Sequence, residues 1–122
     1  MAIRVLIVDD QPRLLKGLRE LLSTNSEWSV CGEASDGLDA VDKAKSLRPD
    51  LIIMDISMPI MDGVEATQII RREVPTAKVL VLSQNDPEIL ARQAVAADAH
   101  GFVSKSELFG NLLTTMKRVV AA

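Results

Sequence analysis

Short apolar runs recur along this chain at regular intervals, and they limit what it can fold into. The runs begin near residues 3, 28, 51, 78 and 101, about 25 residues apart. Apolar residues at helical spacing fill the intervals, as in the leucine stripe between residues 14 and 22. Strands that alternate with helices in this way predict right-handed βαβ units on a parallel sheet. We therefore expect an α/β fold.

Reactive side chains stand at the ends of four of these runs. Asp9 and Asp10 follow the first run, Asp55 the third, Ser83 the fourth and Lys105 the last. Because the carboxyl ends of parallel strands lie along one edge of a sheet, these groups are expected to converge there. Open α/β sheets bind their ligands at that edge. The order of the chain thus predicts a site made of three carboxylates, a hydroxyl and an ammonium group.

Three neighbouring carboxylates need a counter-charge. Two unit charges about 4 Å apart repel by about 4 kcal/mol at an effective dielectric of about 20. The candidate metal ligands are all carboxylate oxygens, and no histidine or cysteine is among them. Such a ligand set favours a hard divalent ion such as Mg²⁺. Lys105 can pair with Asp55 when the site is empty and bind a phosphate when it is filled. Ser83 can donate a hydrogen bond to a phosphoryl oxygen.

Composition limits the remaining possibilities. The 122 residues predict one domain, and a net charge of −3 without a basic stripe argues against direct nucleic-acid binding. No apolar run approaches the roughly 20 residues of a membrane span. Acidic Asp9 comes too early for a secretory signal, so a cytoplasmic protein is expected. The lone cysteine, Cys31, lies in an apolar stretch and is predicted to be a buried core thiol.

Five separate motifs resemble those of the response-regulator receiver domains of bacterial two-component systems. They are the acid pair Asp9-Asp10, the segment from Asp55 to Gly63, the hydroxyl of Ser83, the aromatic Phe102, and Lys105 three residues later. The resemblance covers roughly residues 3 to 120, so residues 1–122 are expected to be one receiver domain. Its strongest local similarity is to LuxR/NarL-type regulators, whose output is a helix-turn-helix DNA-binding domain.

The resemblance implies a fold and a reaction. The fold is a doubly wound, flavodoxin-like sheet of five parallel strands in the order 2-1-3-4-5. A histidine kinase would transfer a phosphoryl group to Asp55, and the domain would catalyse only its own phosphorylation and dephosphorylation. Asp10, Asp55 and the carbonyl of Ser57 would bind Mg²⁺ directly, and Asp9 through water. Lys105 and Ser83 would hold the phosphoryl oxygens.

The resemblance also implies a switch. A shift of the Ser83 hydroxyl would accompany inward rotation of Phe102 and change the surface of the fourth helix, fifth strand and fifth helix. The output would be a C-terminal DNA-binding domain outside this chain, or a protein partner, and a homodimer on phosphorylation is possible. Three positions depart from the common pattern: Phe102 replaces tyrosine, Ser106 replaces proline, and Gln84 replaces a small residue and is bulky enough to narrow access to Asp55. Ser57 and Asn85 occupy positions that tune the lifetime of the phosphoryl group.

Individual residues predict where three helices begin and how the loop after Asp55 is shaped. Pro12 suits the first turn of the first helix, and Asp86-Pro87 indicates the cap and first turn of the fourth. Ser106 is predicted to cap the last helix. Gly63 indicates a close backbone approach or a positive φ in the loop after Asp55.

Other functions on the same residues remain open at this stage. An aspartyl phosphohydrolase would need an Asp-x-Asp pattern, but Asp55 is followed by Ile56 and Ser57, and the chain has no cap insertion. An interaction module that works without phosphorylation would not require the full set of acids, hydroxyl and lysine. Flavin binding would require a phosphate-cradling loop after the first strand, where Asp9 and Asp10 would instead repel phosphate.

Overall fold

The computed structural model describes residues 2–122, and the sheet in it has five parallel strands. In chain order the strands are β1 (Ile3–Val8), β2 (Trp28–Ala34), β3 (Leu51–Asp55), β4 (Lys78–Ser83) and β5 (Gly101–Ser104). They are arranged in the order β2-β1-β3-β4-β5. The predicted doubly wound α/β fold and its strand order are therefore confirmed.

Five helices connect and follow the strands. They are α1 (Pro12–Ser23), α2 (Gly37–Leu47), α3 (Gly63–Glu73), α4 (Pro87–Ala97) and α5 (Leu108–Ala121). None of the helices formed by residues 2–122 is long and apolar enough to cross a membrane.

Each face of the sheet packs against its own set of helices. Leu6, Ile52 and Val79 point into a core shared with α2, α3 and α4. Val5 and Ile53 point into the opposite core, shared with α1 and α5. Strands buried on both faces need nearly continuous apolar sequence, which explains the uninterrupted runs in β3 and β4.

The strand register brings the carboxyl ends of the strands to one edge. Val8 pairs with Met54, and Asp55 pairs with Leu82. Ser83 pairs with Ser104, so Lys105 is the first residue beyond that pair. The reactive residues that follow the strands are therefore neighbours in space because the strands are in register.

Most of the predicted helix starts are confirmed. Pro12 and Pro87 occupy the first turns of α1 and α4, and the Asp86 side chain accepts hydrogen bonds from the backbone N–H groups of Glu88 and Ile89. A side-chain oxygen at this position satisfies amide groups that have no partner within the helix.

Two predictions were wrong. Ser106 does not cap the last helix: a 3₁₀ turn, Lys105–Glu107, comes first, and α5 begins at Leu108 after Glu107. The Ser106 hydroxyl instead lies 2.9 Å from the Ser104 hydroxyl, because the tight turn directs it back toward β5. Cys31 is only partly buried, since β2 is an edge strand with one neighbour.

Candidate functional site

The paired acids after β1 differ in their surroundings. Asp9 is fully buried and Asp10 is exposed. The Asp9 Oδ1 atom accepts a hydrogen bond of 2.9 Å from the backbone N–H of Gln11. This bond fixes the Asp9 carboxylate, whose other oxygen, Oδ2, points toward Lys105.

Asp55 ends β3 with only 1% of its surface exposed. Apart from the Lys105 ammonium, neither of its carboxylate oxygens has a well-formed hydrogen-bond partner among the described residues. Burial, followed by the charge of Asp9, raises the pKa of Asp55 to about 6 against the opposing effect of Lys105. A buried carboxylate with so few partners is energetically costly, and such groups are common at functional sites.

Lys105 supplies the positive charge of the site. Its Nζ atom lies 2.9 Å from Asp9 Oδ2 and 3.2 Å from Asp55 Oδ1. Burial lowers the pKa of Lys105, but the hydrogen bond to Asp9 and the charges of Asp55 and Asp9 outweigh it, and the pKa is raised overall. The predicted pairing of Lys105 with Asp55 is present, and Asp9 shares it.

The three acids fit a metal ion. One oxygen from each of Asp9, Asp10 and Asp55 can be chosen so that the three atoms lie within 4.8 Å of one another. Asp55 Oδ1 is paired with Lys105, and Asp55 Oδ2 has no hydrogen-bond partner among the described residues and can accept a cation. An all-oxygen set with one exposed member suits Mg²⁺, which keeps several waters. The donor set therefore matches the metal predicted from the sequence.

A cavity of about 180 Å³ opens beside Asp55. Its lining includes Asp10, Asp55, Ser57, Gln84, Asn85 and Lys105. Metal-site, phosphoacceptor and lysine positions predicted from different parts of the chain thus surround one space. The space is large enough for a phosphoryl group and a few waters, and too small to enclose a large substrate.

Ser83 is buried at the end of β4, but its hydroxyl does not contact the acids. The Ser83 Oγ atom accepts a hydrogen bond of 3.0 Å from the backbone N–H of Asn85. Phe102 is farther from the acids, on β5, with 41% of its surface exposed. It lines a separate groove of about 340 Å³ between α4 and α5. The structure therefore brings Ser83 to the edge of the site and places Phe102 outside it.

Close packing fixes the loop after Asp55. Gly63 donates its N–H to the carbonyl of Ile56 at 2.8 Å. A Cβ atom at Gly63 would overlap the carbonyl oxygen of Asp55. The φ angle of Gly63 is not positive, so the close approach is the reason that glycine is needed.

Sequence reasoning missed two contacts of the site. The N–H of Gln11 orients Asp9, and the side chain of Gln93 on α4 accepts a hydrogen bond of 3.0 Å from Asn85 Nδ2. The first involves a backbone group that any residue would supply. The second joins Asn85, in the segment before α4, to a residue within α4, and it depends on how that segment folds back over the helix, so the sequence carries no signal for it.

Comparison with known proteins places these features in a family. A profile of the response regulator receiver domain matches residues 5–117. Response regulator protein VraR from Staphylococcus aureus (strain NCTC 8325 / PS 47) is 41% identical over 106 residues, which is 87% of this chain and 51% of VraR. Transcriptional regulatory protein LnrK from Bacillus subtilis (strain 168) is 39% identical over 103 residues, 84% of this chain and 47% of LnrK. The chain thus spans about half the length of the curated relatives it matches.

A solved structure agrees with the sequence relatives. The two-component response regulator of the LuxR family from Aurantimonas sp. SI85-9A1 superposes with a TM-score of 0.92 at 30% identity, covering 99% of this chain and 86% of that one. Fold, profile and sequence relatives therefore point the same way: this chain belongs to the response regulator receiver domain family of two-component systems.

Proposed function

We propose that residues 1–122 form one phosphorylation-controlled receiver domain in which Asp55 accepts a phosphoryl group from a histidine kinase. The observation that carries the proposal is the Asp55 carboxylate, which is buried beside a small open cavity and whose charged partner is the Lys105 ammonium at 3.2 Å. Receiver domains of this family are partners of histidine kinases, so a histidine kinase is proposed as the phosphoryl donor.

The reaction requires little beyond positioning and charge. An Asp55 oxygen attacks phosphorus, the bond from phosphorus to the donor nitrogen breaks, and the electron pair returns to the imidazole of the kinase. The Lys105 ammonium offsets charge on the transferred group, which is the main catalytic demand of phosphoryl transfer. The aspartyl phosphate that forms belongs to this chain, so the domain catalyses only its own modification.

The metal site is assigned to Asp9, Asp10, Asp55 and the Ser57 carbonyl. When bound, Mg²⁺ offsets the charge of the carboxylates and of the incoming phosphoryl group. Asp10 and Asp55 are direct ligands in this proposal, together with the Ser57 carbonyl. Asp9, held by Gln11 and Lys105, acts through water. The spacing of the three carboxylates supports this assignment.

Ser83 and Phe102 are proposed as the switch. In the structure the Ser83 hydroxyl accepts a hydrogen bond from the backbone N–H of Asn85, and Phe102 is exposed. A phosphoryl group on Asp55 offers new acceptor oxygens, so the Ser83 hydroxyl turns to donate to one of them. Phe102 then rotates inward, which changes the surface formed by α4, β5 and α5.

The output is proposed to be transcription. The relatives are regulators of about twice this length, and one structural neighbour is a DNA-binding response regulator of the LuxR family from Staphylococcus aureus. A DNA-binding domain outside residues 1–122, or a partner protein, would read the changed surface. The receiver itself binds no nucleic acid in this proposal, consistent with its net charge of −3.

Phosphorylation is also proposed to favour a homodimer. Light scattering with and without beryllofluoride, which mimics the phosphoryl group, tests this. A doubled mass in the presence of beryllofluoride is expected at high protein concentration, whereas an unchanged mass would remove dimerisation from the proposal.

Intact mass after incubation with Mg²⁺ and acetyl phosphate tests the central proposal. One added phosphoryl group is expected, lost in Asp55→Asn and lost without a divalent metal. Asp42→Asn, which changes an exposed acid on α2, is the matched control and should be phosphorylated normally. Continuous phosphate release with many rapid turnovers would instead indicate a phosphohydrolase, and no mass change at all would indicate an interaction module.

A further inference from the structure

Asn85 stands at the mouth of the acidic cavity and is held there by two hydrogen bonds. Its backbone N–H donates to Ser83 Oγ at 3.0 Å. Its side-chain Nδ2 donates to Oε1 of Gln93 at 3.0 Å. The first bond joins Asn85 to the end of β4, and the second joins it to α4. Together they fix both the backbone and the side chain of a residue that lines the cavity.

Gln93 is itself firmly placed. It is half-buried, and its neighbours Leu90 and Ala94 on the same helix are buried in the core that α4 shares with the sheet. Asn85 Nδ2 gives one of its two N–H groups to Gln93, and this bond fixes the plane of the Asn85 carboxamide. The carbonyl oxygen of that carboxamide accepts hydrogen bonds. It can therefore hold a water molecule at the cavity that Asn85 lines.

We propose that Gln93 is a positioning residue for hydrolysis of the phosphoryl group on Asp55, acting through Asn85. The inference rests on the proposed function. Gln93 holds the Asn85 carboxamide so that its carbonyl oxygen orients a water at the cavity mouth. Without Gln93, the carboxamide is free to rotate, and its carbonyl oxygen no longer holds the water in one orientation.

The hydrolytic step balances without any further reactant. The water oxygen forms a bond to phosphorus as the bond between phosphorus and the Asp55 oxygen breaks, and that electron pair returns to the carboxylate. The products are the Asp55 carboxylate and inorganic phosphate, with one proton released to solvent. A carbonyl oxygen that accepts a hydrogen bond from the water directs the water's lone pair toward phosphorus, and such orientation lowers the barrier.

The contact with Gln93 matters most after phosphorylation. In the proposed switch Ser83 turns toward the phosphoryl group, and Asn85 then loses the hydrogen bond from its backbone N–H. The bond to Gln93 remains as the restraint on the Asn85 side chain. It also links the cavity mouth to α4, one of the elements whose surface changes in the proposed switch.

The rate of phosphoryl loss tests the inference. Protein is loaded with acetyl phosphate and Mg²⁺, the donor is removed, and intact mass is followed over time. Gln93→Met keeps the length of the side chain and removes the acceptor. We expect a half-life about fivefold longer, the effect of losing one ordinary hydrogen bond. In an Asn85→Ala background, the same change should have no further effect, because Gln93 acts through Asn85.

Gln68→Met is the matched control. Gln68 on α3 donates a hydrogen bond of 2.9 Å to the carbonyl of Ala96, so this change also removes a glutamine contact to α4, but far from the cavity. Its half-life should equal that of the unmodified protein. The inference is overturned if Gln93→Met leaves the half-life unchanged, if its effect persists with Asn85→Ala, or if Gln68→Met has an equal effect. If the unmodified protein takes up no phosphoryl group, the proposed function itself fails and this inference fails with it.

Discussion

The backbone of Gly63 packs against the carbonyl oxygen of Asp55 so closely that a Cβ atom would overlap that oxygen. The same atom would stand 2.8 Å from the Ile56 Cα. Both neighbours are backbone atoms and cannot rotate away. The loop that carries Ser57 is therefore held against the end of β3 by the absence of a side chain at one position.

Gly63→Ala is expected to destabilise the fold by about 3 kcal/mol, because the loop must move to relieve the overlap. Urea unfolding measures this change. Phosphorylation by acetyl phosphate should slow as well, since Ser57 moves with the loop. Gly110→Ala is the control: Gly110 lies in α5 with nothing within 4 Å of the added atom. That substitution should raise stability by up to about 1 kcal/mol through helix propensity. Equal stability of the two variants would contradict the prediction.

Asp55→Asn is expected to stabilise the protein at neutral pH without Mg²⁺. The folded pKa of about 6 exceeds the ordinary value of 3.8. Ionisation of Asp55 therefore destabilises the fold. The loss of stability is absent below pH 3.8, grows between pH 3.8 and about 6, and is complete above about pH 6. A shift of this size corresponds to at most about 3 kcal/mol. Urea unfolding at pH 7.5 should show this gain in the variant, and unfolding at pH 4 should show little difference.

In the presence of Mg²⁺ the unmodified protein should be more stable than Asp55→Asn, because the metal stabilises the unmodified protein by binding Asp55. Asp42→Asn, at an exposed position, should change stability by no more than about 0.5 kcal/mol at either pH. A lower stability of Asp55→Asn than of the unmodified protein at pH 7.5 without metal would contradict a destabilising charge on Asp55.

Lys105→Met is expected to lower stability by about 3 kcal/mol in the absence of Mg²⁺, since it leaves two buried carboxylates without a counter-charge. Denaturant unfolding gives the value. Adding Asp55→Asn to Lys105→Met should recover much of the loss, because one of the two unpaired charges is then gone. Lys117→Met on α5, an exposed lysine outside the site, is the control and should be close to neutral. A loss that Asp55→Asn cannot reduce would contradict this account of the ion pairs.

Trp28 provides a test of strand placement. It begins β2 beside Ile3, at the end of the sheet opposite the acids, and is 5% exposed. We expect its fluorescence to change by only a few per cent on addition of Mg²⁺, because the metal site is a full strand length away. Denaturant should change the same signal strongly, which serves as the positive control. A large response to Mg²⁺ would be inconsistent with this placement.

The fold was predictable because the central strands β3 and β4 are buried on both faces and are therefore almost continuously apolar. The sequence predicted the convergence of Asp9, Asp55 and Lys105 because residues that follow parallel strands share an edge. It did not predict the Asn85 to Gln93 contact, which depends on how α4 sits on the sheet. The start of α5 was also mispredicted, since Ser106 falls within a 3₁₀ turn, Lys105–Glu107, that precedes the helix.

The orientation of the Phe102 ring can be followed by NMR, because the chain has only two phenylalanines, Phe102 and Phe109. Both are exposed, at 41% and 69%. In protein labelled with 4-fluorophenylalanine, beryllofluoride with Mg²⁺ should shift the ¹⁹F resonance of Phe102 as its ring turns inward. The resonance of Phe109 on α5 should stay in place and is the internal control. Ser83→Ala removes the hydroxyl that links the two events, so the Phe102 resonance should then remain at its original position. If both resonances are unchanged in the unmodified protein although beryllofluoride binds, Phe102 is not part of the switch.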